Sequence, residues 1–183
     1  MSTTVVIILV AVIVIAAVAF MMYQQKERRR RLQSSFGPEY DRVVKTSGDP
    51  RQAEATLERR QKRVEQYHLR PLRPEECDRF SKEWRDAQTR FVDDPRGAVA
   101  HADRLVSAAM TARGYRLPDI ETRIEDLSVE HPKEVESFRA AHEIAKRDAG
   151  GQASTEDLRK AMQHYRSVFE SLIESRVTEE VRR

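Results

Sequence analysis

The sequence predicts an all-α protein in which a single N-terminal transmembrane helix precedes a multi-helix, bundle-like domain. The first observation is an apolar run over residues 5–23, VVIILVAVIVIAAVAFMMY, which contains no charged residue, no Pro and no Gly. The second is that six of the seven prolines stand just before segments whose apolar residues recur at helical spacing. The third is that no segment alternates apolar and polar residues as a half-buried strand does.

The apolar run has the right length for a membrane span. Its 19 residues form a helix of about 28 Å at ~1.5 Å per residue, close to the thickness of a bilayer's hydrocarbon core. Because the run has no polar face, it does not suit an amphipathic helix that lies on a membrane surface. We therefore expect residues 5–23 to contact the lipid bilayer along their whole length.

A basic collar follows the apolar run and predicts its orientation. The collar consists of five bases in the juxtamembrane segment: Lys26, Arg28, Arg29, Arg30 and Arg31. Residues 1–4, which precede the run, carry no charged side chain. Lys and Arg favour the cytoplasmic side, so we expect residues 1–4 outside a bacterial inner (plasma) membrane and the C-terminal domain in the cytoplasm. The collar should contact anionic lipid headgroups.

A cleaved signal peptide is the alternative interpretation of the same run. Ala17, Val18 and Ala19 resemble a small-residue cleavage site, and cleavage there would release a periplasmic or secreted helical domain. However, the start of the chain lacks a positively charged region, and the apolar run exceeds the usual length of a signal's apolar core. These features favour an anchor that stays attached.

The charge of the chain is concentrated beside the membrane. The formal net charge is +3, but residues 24–33 hold five bases and one acid, which leaves −1 for the rest. Nucleic acid is an unlikely partner, because a protein that binds it usually presents a basic face on its folded domain. Cys77 is the one cysteine, so the chain has no internal disulfide.

The first segments after the span are predicted to connect it to the domain. Residues 24–36 should end the anchor helix and continue as a basic juxtamembrane linker. Residues 37–69 should form a charged helical connector with helices over 38–46 and 50–67. The run ERRQKRVEQ in the second helix is interpreted as a solvated face with compensating acids. The stiff segment LRPLRP, residues 69–74, marks the predicted boundary.

Residues 70–175 are predicted to form a compact α-helical domain, with a frayed tail over 176–183. Helices over 74–92 and 95–113 should pack as an antiparallel hairpin, because few residues separate them. Further helices are expected over 118–127, over 132–147 and from Ser154, where Asp157 completes a sequence pattern like a capping box. One apolar seam is expected on the first helix, formed by Cys77, Phe80, Trp84, Ala87 and Phe91.

The sequence indicates no catalytic residue, no cofactor site and no metal site. None of the five histidines has a zinc-ligand spacing, and the chain lacks a Gly-rich phosphate loop. His142 falls on an apolar helix face, which suits a hydrogen-bonded structural histidine better than a ligand or a base. The residues that would line a pocket, if the domain binds a small ligand or catalyses a reaction, are His142, Trp84 and Tyr165.

Five stretches of the chain support a resemblance: FGPEYDRVV, LRPLRPEE, RFVDDPRGAVAHADRLV, DLSVEHP and ASTEDLRKAMQHYRSVF. They resemble an uncharacterised group of bacterial proteins catalogued as hypothetical or secreted. The resemblance covers about residues 36–172 and implies an N-terminal membrane segment followed by a helical module. It implies no activity, so it assigns no site residues.

The sequence as a whole predicts a single-pass, membrane-anchored protein with a cytoplasmic helical domain. We expect that domain to serve protein–protein interaction or scaffolding with an unidentified protein partner. Two alternatives stay open: a domain released by signal cleavage, and a ligand-binding or enzymatic domain with a pocket near His142.

Overall fold

The structure is a computed structural model that describes residues 3–116 and 118–180, and the side chains of residues 9–116 and 118–174. The described residues form eight α-helices and no strand, which confirms the all-α prediction. An apolar N-terminal helix precedes a bundle-like domain. The helices are α1 (Thr3–Phe36), α2 (Pro38–Ser47), α3 (Pro50–Glu65), α4 (Pro74–Arg90), α5 (Pro95–Arg113), α6 (Ile120–Glu130), α7 (Val135–Ala149) and α8 (Thr155–Glu180).

Helix α1 runs without a break from the apolar run through the basic collar to Phe36. The predicted linker within residues 24–36 is therefore wrong, because no Pro or Gly interrupts the helix before Gly37 and Pro38. The side chains of residues 9–23 are exposed, whereas Leu32 and Phe36 are fully buried. Among the described helices, α1 is long and apolar enough to cross a membrane, although a signal sequence meets the same criteria.

The end of α1, together with α2 and α3, forms a small core that we call the proximal lobe, residues 28–66. Gly37 and Gly48 adopt positive φ angles at the two turns, so the chain can reverse direction there. Asp49 caps α3 by accepting a hydrogen bond from the Arg51 backbone N–H, and Pro50 occupies the first turn. The buried residues of this lobe are Leu32, Phe36, Tyr40, Val43, Ala53 and Leu57.

Helices α4 to α8 form the distal bundle, residues 72–174. The predicted hairpin of α4 and α5 is confirmed: a short turn joins them, and they pack against each other. The predicted seam is buried at Cys77, Phe80, Trp84 and Ala87 and partly buried at Phe91. Helix α8 packs against both α5 and α7 and closes the bundle.

Helices α6 and α7 begin later than the sequence predicts. Asp119 accepts a hydrogen bond from the Thr122 backbone N–H and is the N-cap of α6, so Pro118 lies before the helix. Pro132 likewise lies in a turn before α7. The capping box that opens α8 is present, because Ser154 and Asp157 exchange hydrogen bonds. Helix α8 includes residues 176–180 of the predicted tail, and residues 181–183 lie outside the described residues.

The two lobes are packed together. Helix α3 lies against α6, and α1 also contacts α6. The segment 69–74 is held in place, because Glu76 accepts hydrogen bonds from the Arg70 guanidinium and from the Arg73 backbone N–H, each at 2.8 Å. Residues 37–66 of the predicted charged helical connector therefore belong to the proximal lobe, which packs on the distal bundle.

Candidate functional site

The three predicted pocket residues lie on three different helices: Trp84 on α4, His142 on α7 and Tyr165 on α8. Trp84 is 6% exposed and stacks on Phe169, with ring centroids 4.7 Å apart. Tyr165 is fully buried, and its hydroxyl donates a hydrogen bond to Asp103 Oδ1 at 3.0 Å. Burial, followed by the negative charge of Asp103, raises the pKa of Tyr165 far above its usual value. Both side chains therefore serve as parts of the core.

His142 lies beside the buried stripe of α7 rather than on it. The buried residues of that helix are Val135, Phe138, Ala141 and Ile144, whereas His142 is half-buried. Each residue advances ~100° around a helix, so the stripe that passes through Ala141 leaves His142 at its edge. The pocket beside Trp84 is lined by Ser81, Arg85 and Phe169 with residues from the end of α8, and neither His142 nor Tyr165 contributes to it.

The side chains of the basic collar differ in their exposure and contacts. Lys26, Arg29 and Arg30 are exposed. Arg28 turns toward α3, where its Nε lies 2.7 Å from Glu58 Oε1 and its Nη2 donates to Glu58 Oε2 at 2.7 Å. Arg28 therefore contacts an acid of the folded protein, and contact of the collar with lipid headgroups stays a prediction. The physical reason for the Arg28 contact is that α3 folds back along α1 and brings its carboxylates to this face.

The most concentrated buried charge lies where the two lobes meet, and we call it the interlobe network. It starts from Glu39 on α2, which is 2% exposed. Arg42 donates two hydrogen bonds to it at 2.7 Å each, and Arg60 donates one at 2.9 Å. Arg139 of α7 approaches the same carboxylate at 3.4 Å. Burial opposes ionisation of Glu39, but the hydrogen bonds from Arg42 and Arg60 outweigh it and hold its pKa below the usual value.

The other half of the interlobe network surrounds Asp126 of α6, which is fully buried. Arg63 donates a hydrogen bond to Asp126 Oδ1 at 2.7 Å, and the Tyr67 hydroxyl donates to Oδ2 at 2.8 Å. Burial raises the pKa of Asp126, although both donors oppose this effect. Burial and the hydrogen bond to Asp126 raise the pKa of Tyr67 to about 12. The neighbouring Glu125 accepts from both Arg60 and Arg63, at 3.1 and 2.9 Å.

The interlobe network contradicts the interpretation of ERRQKRVEQ as a solvated face at Arg60, whereas Arg59, Lys62 and Glu65 of the same run are exposed. Arg60 is 5% exposed and reaches two carboxylates that lie far away in the sequence. The one sequence signal that could have indicated this is the pair Arg60 and Arg63, three residues apart on the side of α3 that also carries Val64. Two residues that are three positions apart lie on one face of a helix. An apolar neighbour on that face indicates that the face contacts another part of the protein.

A second buried polar cluster joins the C-terminal ends of α5 and α6 to Leu172 of α8. Arg113 of α5 donates a hydrogen bond to the Leu172 carbonyl at 3.1 Å and another to Glu130 Oε2 at 3.0 Å. The ring of His131, which is 6% exposed, lies 3.4 Å from the same guanidinium. Burial, followed by the positive charge of Arg113, lowers the pKa of His131 to about 4, so the ring is neutral near pH 7. Sequence reasoning did not single out either residue.

The chemistry of these clusters is that of structural ion pairs. The buried carboxylates of Glu39 and Asp126 are already occupied by arginine and tyrosine donors, so neither is poised to act as a base. Among the residues that the structure describes, no group of three or more His, Cys, Asp or Glu side chains could hold a metal ion. A scan against protein-family models found no match, and searches of curated proteins and of solved structures also found none.

Proposed function

We propose that the chain is a single-pass protein of the bacterial inner (plasma) membrane that holds a helical scaffold at the cytoplasmic surface. Residues 5–23 would cross the bilayer with residues 1–4 outside, and the domain would bind a protein partner. The observation that carries this proposal is the continuity of α1. The same helix that carries the apolar run enters the core of the proximal lobe through Leu32 and Phe36.

Continuity of α1 supports a scaffold because it fixes the domain to its anchor. A flexible linker would let the domain turn freely, whereas a helix transmits both direction and distance. The interlobe network then joins the proximal lobe to the distal bundle, because Arg60 donates a hydrogen bond to Glu125 and Arg63 donates one to Asp126. Together these contacts would hold the distal bundle at a set orientation above the membrane. That arrangement suits a protein that presents a binding surface.

The orientation can be tested by cysteine labelling in intact cells. In a Cys77→Ala background, Ser2→Cys should react with a membrane-impermeant maleimide once the outer barrier has been permeabilised. The matched variant, Arg183→Cys, should react only after the inner membrane has been broken. The reverse pattern of labelling would show that the chain has the opposite orientation to the one that the basic collar predicts.

A released periplasmic or secreted domain is the second candidate, favoured by the small residues at Ala17, Val18 and Ala19. The intact mass of the mature protein separates the two. We expect the mass of the full chain in the membrane fraction. A mature protein that begins near residue 20 and is found outside the inner membrane would support release.

A further inference from the structure

A crevice opens where α3 folds back beside the end of the apolar run on α1. It has a volume of about 880 Å³. Its apolar lining is formed by Val18, Met21 and Met22, which are exposed side chains. Arg31 of α1 and Arg51 of α3 also line it. Two separate helices therefore bring apolar and cationic side chains to the same space.

The two cations at the crevice differ from Arg28, which also lines it. Arg28 is held by Glu58, and it lies 3.9 Å from Glu54. Arg31, by contrast, has a side chain that is 67% exposed and lies no closer than 3.7 Å to Glu58, and Arg51 is exposed at the first turn of α3. Their guanidinium groups keep N–H donors for a ligand. A guanidinium matches the geometry of a phosphate oxygen pair.

The position of the crevice identifies the ligand. Met22 lies at the end of the proposed span, and Arg31 follows nine residues later, about 14 Å further along the helix. The headgroup layer on one side of a bilayer is about 5–7 Å thick, and the long Arg31 side chain, which leans toward the N-terminus of the helix, extends back to that layer. A phospholipid in that layer would place its phosphate near the arginines and its first acyl carbons on the methionines.

We propose that this crevice binds one phospholipid molecule, with its phosphodiester on Arg31 and Arg51 and its acyl chains along Val18, Met21 and Met22. The proposal rests on the membrane anchoring proposed above. Glu27 and Glu54 also line the crevice, and Glu54 is already occupied by the Tyr40 hydroxyl. Since these acids disfavour additional negative charge, the site recognises the phosphodiester that all phospholipids share rather than an acidic headgroup.

The test uses the full chain, purified from membranes in mild detergent and analysed by native mass spectrometry with added phosphatidylethanolamine or phosphatidylglycerol. The double variant Arg31→Gln/Arg51→Gln should bind either lipid about 25-fold more weakly, since the loss of each basic contact near a headgroup weakens binding about fivefold. The matched control is Arg30→Gln/Arg59→Gln. It removes one charge from each of the same helices outside the crevice. Circular dichroism should show that both variants keep the wild-type helix content.

Each result decides the proposal. The proposal is supported if the wild type and the control retain both lipids and the crevice variant loses both. Equal binding by all three proteins would overturn it. Strong binding of phosphatidylglycerol alone, or displacement of the lipid by free glycerol phosphate, would overturn the assignment to the phosphodiester of a membrane lipid. If the protein is absent from the membrane fraction, the proposed anchoring itself fails, which is distinguishable from a membrane-bound protein without the site.

Discussion

Replacing Glu39 by Gln should weaken the junction between the two lobes. The Glu39 side chain is 1% exposed and accepts hydrogen bonds from Arg42 and Arg60. Gln keeps the shape and one acceptor but removes the negative charge. Arg60, whose side chain is 6% exposed, would then stay buried with Glu125 as its remaining acidic partner.

The expected cost follows from how well each arginine can find another partner. Removing one partner of a fully buried ion pair costs about 3–5 kcal/mol. Arg42 and Arg139 have side chains that are 35% and 26% exposed, so they can turn toward water. Arg60 cannot do this easily, but it retains Glu125. We therefore expect Glu39→Gln to lower the free energy of unfolding by about 2–4 kcal/mol.

The assay is urea unfolding of the full chain in mild detergent at neutral pH, followed by the fluorescence of Trp84, the one tryptophan. With a typical denaturant dependence, the midpoint should fall by roughly 1–2 M. The matched control is Glu136→Gln, which removes an acid that also approaches Arg139 but is 71% exposed. The control should cost at most about 0.5 kcal/mol. Equal midpoints for the two variants would refute the claim that the interlobe network stabilises the fold.

Three other outcomes are expected. Leu32→Ala should cost about 2–5 kcal/mol, whereas Leu9→Ala on the same helix should leave the urea midpoint unchanged, because Leu32 is buried and Leu9 is 54% exposed. Trp84→Ala should cost about 3–5 kcal/mol, and an unchanged melting temperature by circular dichroism would contradict its place in the core. Stability should fall as the pH drops from 6.5 toward about 4, because the unfolded chain protonates His131 first. A His131→Gln variant that keeps this slope would contradict that assignment.

The helices of the distal bundle could be predicted closely because local chemistry determines them. Asp94 before Pro95, and the Ser154–Asp157 pair, are caps whose signals lie within four residues of the helix start. The same rule misplaced α6 and α7, because Pro118 and Pro132 stand before the caps rather than after them. A proline marks the neighbourhood of a helix start, and at α6 the capping side chain of Asp119 decides the residue.

The partners that hold the two lobes together could not be identified from local patterns, although Arg60, Arg63 and Val64 indicate which face of α3 makes a contact. From the sequence alone, Arg60 and Asp126 do not differ from exposed charged residues. They are buried because the fold packs α3 against α6. The burial of these side chains depends on partners more than 60 residues away in the sequence. Helical periodicity contains no information about such distant partners. The continuity of α1 was predictable in principle, since Leu32 and Phe36 lie four residues apart and no breaker precedes them. This short apolar stripe is hard to recognise because it directly follows several arginines.

The rigid connection between anchor and domain is tested most directly by one distance along α1. Nitroxide labels at Ile13→Cys and Gln33→Cys, in a Cys77→Ala background, occupy two exposed positions of the helix. Their separation of 20 residues corresponds to about 30 Å in a continuous helix. Pulsed electron–electron double resonance on the protein in lipid nanodiscs should give a single narrow distribution near that distance. A broad distribution that extends to much shorter distances would mean that a flexible linker separates the span from the domain, and it would contradict the proposed scaffold.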